Sequence, residues 1–315
     1  MEAGTSTAGG VAPGGPDLGA TSQRWGEKAI RVALFLAAAI SILTTLGILV
    51  ALLRESVAFF GEVGVWNFLT DSDWSPVIAD QYGIWRLVVG TFLITGIAIL
   101  LAIPLGLGSA IYLSEYATPR VRRTVKPVLE VLVGVPTIIF GFFALTFISP
   151  ELLTGLFSLD VKPQNALAAS MVMAIMILPT IASISEDAMS AVPQGLREGA
   201  FGMGASKLQV STRVVFPAAL SGIVAAIVLG VSRAVGETMI VLIAGGGQKP
   251  CDGINPTESC ATIASYIAAT GKGDLATGSV EYQTIFAAGT TLFVLTLIFN
   301  AIAIRFVRKY RQVYE

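Results

Sequence analysis

Six apolar stretches, each long enough to cross a bilayer, constrain this chain more than any other feature. A membrane-spanning helix needs about 20 predominantly apolar residues, because the hydrocarbon core of a bilayer is about 30 Å thick. The sequence therefore predicts an all-α membrane protein with six transmembrane helices. The predicted spans are residues 29–53, 85–113, 128–148, 166–185, 218–244 and 284–304.

The composition favours one membrane-embedded helical bundle. Hydrophobic residues make up 54% of the chain and charged residues only 13%, whereas a soluble domain has about 25% charged residues. Histidine is absent, which excludes histidine metal ligands, general bases and pH switches. We expect no metal site and no nucleic-acid partner. Residues 1–23 are rich in Gly, Ala, Thr and Pro, so we expect a disordered cytoplasmic tail before a transmembrane domain, residues 24–315.

The distribution of Lys and Arg predicts the orientation of the spans. Fourteen of the 20 basic residues flank the two termini or lie in the loops after the second and fourth spans, and five lie on the opposite side. Because loops rich in Lys and Arg stay in the cytoplasm, both termini are predicted to be cytoplasmic. Cys251 and Cys260 then fall in an outer loop, residues 245–283, where the compartment permits a disulfide. The sequence leaves open whether this disulfide forms.

The fifth predicted span contains two ionisable side chains, Arg233 and Glu237, four residues apart. A charge at membrane depth costs at least about 2.5 kcal/mol, so such residues usually face protein or water. This spacing places the two side chains on one helix face, where they can neutralise each other. Ala226, Gly230 and Ala234 would lie on the same face and permit close helix packing. The spacing alone fits a structural salt bridge as well as a path for an anion.

A patterned polar segment, residues 186–217, separates the fourth and fifth spans. We expect a short helix after Pro193, a glycine turn at Gly202 to Gly204, and a second helix that ends near Pro217. Such an element can transmit force to the spans, or it can be an amphipathic connector in the membrane interface. Spacing does not choose between these two roles.

The same segment resembles the EAA loop of ABC-importer permeases: Glu-Ala-Ala, three residues, Gly, nine residues, then Ile-x-Leu-Pro. The matching residues are Glu198, Gly199, Ala200, Gly204, Val214, Phe216 and Pro217. Gly199 and Phe216 depart from the family's Ala and Leu. The resemblance implies that residues 186–217, here called the coupling loop, dock on a separate ATP-hydrolysing subunit. The implied coupling residues are Arg197, Glu198, Gly199, Ala200, Gly204 and Pro217.

The stretch SRAVGET, residues 232–238, is similar to the Arg-Ala-x-Gly-Glu-Thr stretch of phosphate-importer permeases. This resemblance implies a type I ABC importer permease fold in the lipid of a bacterial plasma membrane, and a substrate path that includes Arg233, Glu237 and Thr238. It also implies three kinds of partner: a second related permease of the PstA type, a dimer of ATPase subunits that bind ATP and Mg, and an extracytoplasmic phosphate-binding protein. The accompanying hypothesis is that phosphate transiently displaces Glu237 from Arg233.

Other functional classes remain as alternatives. One is an ABC permease for another substrate such as sulfate, molybdate or an amino acid. Another is an ion-driven secondary anion transporter, although no inverted repeat is evident. A membrane enzyme is the third, although no nucleophile and base pattern is visible. The chain lacks the G-x-x-x-x-G-K-[ST] loop that cradles nucleotide phosphates, so we expect a transporter subunit that is not itself an enzyme.

Overall fold

The computed structural model of the chain describes residues 25–247, 249–273 and 275–310. The tail expected at residues 1–23 lies outside the described residues.

Residue contacts divide the chain into two units, Met1–Val50 and Ala51–Glu315. In the first unit, the described residues form the first part of one long helix, and its apolar side chains are largely exposed. A helix of this kind fits a lipid environment, in which apolar side chains need no protein partner. The second unit contains the remaining helices.

The described residues form α-helices, four π-helical stretches and one small antiparallel sheet. The α-helices are α1 (Trp25–Val63), α2 (Val65–Thr70), α3 (Pro76–Ala79), α4 (Trp85–Ile111), α5 (Pro119–Val133), α6 (Thr137–Phe143), α7 (Ala166–Ser190), α8 (Gln194–Gly202), α9 (Lys207–Val210), α10 (Phe216–Ala218), α11 (Leu220–Val235), α12 (Ile263–Thr270) and α13 (Val280–Tyr310). The π-helical stretches are π1 (Tyr112–Tyr116), π2 (Ala144–Leu156), π3 (Ser211–Val215) and π4 (Val241–Gly246). Strands β1 (Trp74–Ser75) and β2 (Gln81–Tyr82) pair with Trp74 opposite Tyr82.

Five of the described helices are long and apolar enough to cross a membrane. Their ranges are Gly26–Val63, Trp85–Tyr116, Thr137–Leu156, Ala166–Ser190 and Val280–Arg305. A sixth candidate is bent by 71° where Lys207–Ala218 meets Leu220–Val235. Pro217 lies beside this bend and supplies no backbone donor to the preceding turn, which weakens the helix there. The number of candidate spans is therefore five, or six if the bent pair counts as one span.

The structure differs from the predicted third span, residues 128–148. Residues up to Val133 belong to α5, an amphipathic helix without buried residues that starts behind the N-cap Thr118. The helix ends at Gly134, and Pro136 precedes the next helix, α6. These two residues interrupt what the apolar pattern presents as one run. The candidate span consequently begins later, and α6 and π2 form it together.

Close packing of α4, α7 and α11 forms the centre of the bundle. Ile181 of α7 lies between a glycine of each neighbouring helix. A Cβ atom on Gly106 of α4, or on Gly230 of α11, would lie 2.9 Å from a carbon of Ile181. Only glycine leaves room for such close approach, as is common between helices in membranes. Ala226 and Ala234 are buried along with Gly230, so the small-residue ridge expected on the fifth span packs inside the bundle.

A buried polar cap fixes the start of α7. The Asn165 side chain accepts a hydrogen bond from the Ala168 amide at 2.7 Å, and its amide group donates to Ser149 Oγ at 2.9 Å. Asn165 is fully buried, so this network satisfies polar groups that would otherwise be costly. An N-cap of this kind stabilises a helix by about 1 kcal/mol.

Candidate functional site

The predicted intramembrane pair lies at a break in the fifth span. Helix α11 ends at Val235, Gly236 is its C-cap, and helical structure resumes at Met239. Predicted span 218–244 is therefore not one continuous helix.

Glu237 caps the segment that follows the break. Its Oε1 atom accepts hydrogen bonds from the backbone amides of Met239 at 3.0 Å and Ile240 at 3.2 Å. The Glu237 side chain is buried, with 8% of its residue surface exposed. A carboxylate at a helix N-terminus satisfies free amides and interacts favourably with the helix dipole. The break therefore accommodates the buried negative charge.

Arg233 lies in the last turn of α11 and is half-buried. Its Nη1 atom lies 3.5 Å from the Thr180 hydroxyl on α7. A cation in the last turn of a helix interacts favourably with the helix dipole. Within the described part of the chain, Arg233 and Glu237 form no ion pair, so the expected pairing on one helix face is wrong in this structure. Each charge is stabilised by its own helix end, and this removes the basis for the displacement hypothesis.

Thr238 completes the break. Its hydroxyl donates to the Gly236 carbonyl at 3.2 Å, and the side chain is half-buried. The turn at residues 236–238 thus brings together a hydroxyl and a carboxylate directly after Arg233. The three predicted path residues, Arg233, Glu237 and Thr238, are all located at this one interruption. Thr180 is a further polar neighbour that the sequence did not single out, because a lone Thr in an apolar helix carries no signal.

The coupling loop folds into α8, a glycine turn and α9. Gly204 has φ +81°, in the left-handed region that favours glycine. Ser206 then caps α9 in a reciprocal capping box with Gln209. Pro217 lies in α10 and is exposed, well after these turns in the chain. The expected order of helix, glycine turn and second helix is present.

The predicted coupling residues on α8 face in two directions. Glu198 and Gly199 are exposed, whereas Ala200 is buried and Arg197 is largely buried. Several large apolar side chains of the loop are also exposed: Leu196, Phe201, Met203 and Leu208. Exposed apolar groups clustered among polar neighbours are typical of a protein interaction surface.

Arg197 binds a residue that sequence reasoning missed. Its Nη2 atom lies 3.0 Å from Oε1 of Glu115, in π1 at the end of the second span. The two residues are 82 positions apart, so no local spacing could reveal the pair.

A second charged cluster was also missed. Glu186 is fully buried near the end of α7 and forms ion pairs with Arg122 and Lys126 of α5. Lys126 also pairs with Asp187. Burial alone lowers the pKa of Lys126, but hydrogen bonds to Asp187 and Glu186 outweigh it and hold the pKa above its usual range. The cluster attaches the amphipathic helix α5 to α7. The sequence contained one signal for this cluster: a carboxylate directly after an apolar span, together with a loop rich in basic residues on the same predicted side.

The outer loop contains a disulfide between Cys251 and Cys260. Both cysteines are buried against α4, where a Cβ atom on Gly90 would lie 2.6 Å from one sulfur and 2.9 Å from the other. Carbonyl groups within the closed loop accept hydrogen bonds from the first amides of α7: Glu258 from Ala166 at 2.9 Å and Pro256 from Leu167 at 2.8 Å. The disulfide loop therefore helps to hold the first turn of α7.

The chain matches a family model described as "Binding-protein-dependent transport system inner membrane component" over residues 102–312. The phosphate transport system permease protein PstC of Mesorhizobium japonicum is 36% identical, over 85% of this chain and 86% of the relative. The probable ABC transporter permease protein YqgH of Bacillus subtilis is 35% identical, over 78% of this chain and 79% of the relative. Both relatives match most of the chain.

Solved structures share the fold. A chain of a bacterial alginate ABC transporter, crystallised with a periplasmic protein bound to alginate pentasaccharide, has a TM-score of 0.62 at 17% identity. That match covers 91% of this chain and 98% of the other. An inward-facing MetNI methionine ABC transporter has a TM-score of 0.54 at 20% identity, over 73% of this chain and 95% of its own. The chain belongs to the binding-protein-dependent transport system inner membrane component family, the permease subunits of ABC importers.

Proposed function

We propose that this chain is the membrane-spanning permease subunit of an ATP-driven importer of inorganic phosphate. It forms half of the translocation path, and a second related permease of the PstA type forms the other half. A dimer of separate ATPase subunits binds ATP and Mg, and an extracytoplasmic phosphate-binding protein delivers the substrate. The chain crosses a bacterial plasma membrane six times with both termini in the cytoplasm. The names of the PstC relatives support phosphate as the substrate.

One observation carries the proposal: Arg233 lies at a break in a membrane helix and has no carboxylate partner among the described residues. Its contact with the Thr180 hydroxyl is long, at 3.5 Å, and leaves most of its donors available. The guanidinium fork matches the spacing of phosphate oxygens and can bind two of them at once. Arg233 therefore supplies the positive charge that an anion needs in a region of low dielectric.

The break also limits how tightly an anion binds. Glu237 is buried close by in the chain, and its negative charge repels an anion that stays at Arg233. Conduction requires a site that attracts the ion enough to enter and holds it weakly enough to leave. We therefore assign Arg233, Glu237 and Thr238 to the path, with Arg233 as the attracting group and Glu237 as the group that caps the break and favours release.

The coupling loop supplies the connection to the ATPase. Its exposed apolar side chains, including Phe201 and Met203, form a docking surface for the partner subunit. Glu198 and Gly199 lie on the exposed side of α8, beside that surface. Arg197 and Ala200 lie on the buried side of α8, and Gly204 and Pro217 shape the turn and the end of the loop.

Reconstitution in liposomes tests the proposal. The chain is incorporated with its partner permease and ATPase, the binding protein is added outside, and uptake of radiolabelled phosphate is measured with and without internal ATP. We expect uptake that needs ATP, persists when an ionophore collapses ion gradients, and is not competed by sulfate or molybdate. Uptake that follows an ion gradient without ATP would identify a secondary transporter. Preferential uptake of sulfate or molybdate would identify an ABC permease for another oxyanion.

A further inference from the structure

Arg197 connects the coupling loop to two membrane helices through directional contacts. Its Nη2 and Nε atoms lie 3.0 Å and 3.3 Å from the same carboxylate oxygen of Glu115, at the end of α4 and π1. The side chains are only 11% and 7% exposed. Water therefore screens this pair little, and its geometry is well defined.

The same guanidinium also binds the end of α7. Nη2 donates to the Met189 carbonyl at 2.8 Å, and Nη1 donates to the Val192 carbonyl at 2.5 Å. The last carbonyls of a helix lack partners within the helix, and an arginine can satisfy them. One side chain of α8 thus holds the ends of both α4 and α7.

The other contacts of α8 and α9 with the ends of these helices include a cation–π contact of Lys207 with the Tyr116 ring, at 5.0 Å, and apolar packing. Val192, Ala200 and Val210 belong to a small apolar cluster with Ala110 of α4 and Met189 of α7. Apolar contacts of this kind are not directional and tolerate small sliding movements. The Arg197 contacts have fixed directions, so α8 cannot shift relative to the ends of α4 and α7 without breaking them.

We propose that the Arg197–Glu115 pair is the element that transmits movement of the coupling loop to the helices around Arg233. The inference rests on the proposed function, in which an ATPase moves α8. Arg197 acts as a positioning residue: it does not bind substrate or nucleotide, but it makes α8, α4 and α7 move together. The movement reaches the path along α7, because Thr180 of that helix contacts Arg233. Ten residues of helix, about 15 Å, separate Ser190 at the end of α7 from Thr180.

The test compares phosphate transported with ATP hydrolysed in the reconstituted complex. The variants are Arg197→Gln, Glu115→Gln and the double variant. We expect assembly with the ATPase and substantial ATP hydrolysis in each, but at least about a twofold loss in phosphate transported per ATP. Because the two residues act as one unit, the double variant should lose no more than the more severe single variant.

Arg122→Gln is the matched control. Arg122 is also an arginine paired with a buried glutamate, but that glutamate, Glu186, lies within α7, so the pair joins α5 to α7 and involves no residue of α8. We expect this variant to reduce thermal stability and to keep the wild-type ratio of phosphate to ATP. A merely structural role for Arg197 would give the same result as the control.

The possible outcomes separate the inference from the proposed function. If the wild-type complex does not transport phosphate with ATP, the proposed function fails. If the wild-type complex does transport phosphate with ATP and Arg197→Gln retains the wild-type ratio of phosphate to ATP, the inference is overturned. The inference is also overturned if the losses of this ratio in the two single variants add up in the double variant. If Arg197→Gln does not assemble, Glu115→Gln decides, because it keeps the shape and a hydrogen-bond acceptor while it removes the charge.

Discussion

Arg233 and Glu237 are four residues apart in the chain, but the helix that contains Arg233 ends before Glu237, and the two charges are stabilised by different helix ends. A charge pair on one continuous helix would have been self-neutralising. The break instead leaves the guanidinium without a carboxylate partner among the described residues, and the carboxylate caps the next helical segment. This geometry leads to distinct expectations for the two residues.

Arg233→Gln should reduce ATP-driven phosphate uptake by about tenfold or more, since a charge-assisted hydrogen bond contributes about 1.5–3 kcal/mol. Arg233→Lys should have an intermediate effect, because an ammonium keeps the charge but loses the planar fork. Initial uptake rates over a range of phosphate concentrations provide the measurement. Arg123→Gln, at an exposed arginine, is the control and should behave as wild type. Normal uptake by Arg233→Gln would remove Arg233 from the path.

Glu237→Ala should destabilise the segment after the break by about 1–2 kcal/mol, because two backbone amides lose their acceptor. Glu237→Gln should cost less, since its amide oxygen can still accept those hydrogen bonds. Thermal unfolding of the purified protein, together with hydrogen exchange at Met239 and Ile240, measures the difference. Equal stability of the Ala and Gln variants would contradict the capping role.

Gly90→Ala should destabilise the protein by about 1–3 kcal/mol through overpacking. The new Cβ atom would lie 2.2 Å from the Ala261 carbonyl oxygen and close to both disulfide sulfurs. Gly96→Ala, on the same helix, is the matched control, because its Cβ atom would meet nothing within 4 Å. The control should be neutral or slightly stabilising in a thermal unfolding experiment. A similar result for both variants would mean that the outer loop does not press on α4.

Glu186→Ala should destabilise the protein by about 3 kcal/mol, the lower end of the range for a broken buried pair, because Arg122 and Lys126 retain some contact with water. Asp187→Ala removes a neighbouring partner of Lys126 that is 60% exposed and should cost less than about 1 kcal/mol. Unfolding midpoints of the two variants, measured in the same detergent, give the comparison. An equal loss of stability in the two variants would show that the burial of Glu186 does not add to the contribution of its ion pairs.

The helical class of the fold and most of the spans were predictable because a lipid environment permits few backbone conformations. Long apolar runs must form helices in lipid, since every backbone polar group needs an internal partner. The turn in the coupling loop was predictable for a local reason, because Gly204 adopts a conformation that few other residues tolerate. The small-residue ridge at Ala226, Gly230 and Ala234 was predictable from helical periodicity.

The rest depended on tertiary structure. The polar stretch around Gly236 is short, and the apolar run resumes at Met239, so hydropathy predicts one span across it. A spacing of four residues is also the same in a continuous helix and across a break. Likewise, hydropathy does not distinguish the amphipathic end of α5 from the start of the next span at Thr137. The partner of Arg197 could not be found at all, since Glu115 is separated from it by more than two complete helices. For Arg233 and Glu237 the sequence indicated the right residues but not their relationship, whereas for Arg197 it did not indicate the partner.

Whether the disulfide between Cys251 and Cys260 forms depends on the redox conditions under which the chain is produced. A chain produced by cell-free translation with reductant present should insert and yet have a less stable first turn of α7, because the disulfide that closes the loop bound to that turn would be missing. Two batches of identical sequence could then differ in how well they receive a soluble delivery protein. The redox history of a preparation therefore has to be matched before uptake rates from different laboratories are compared.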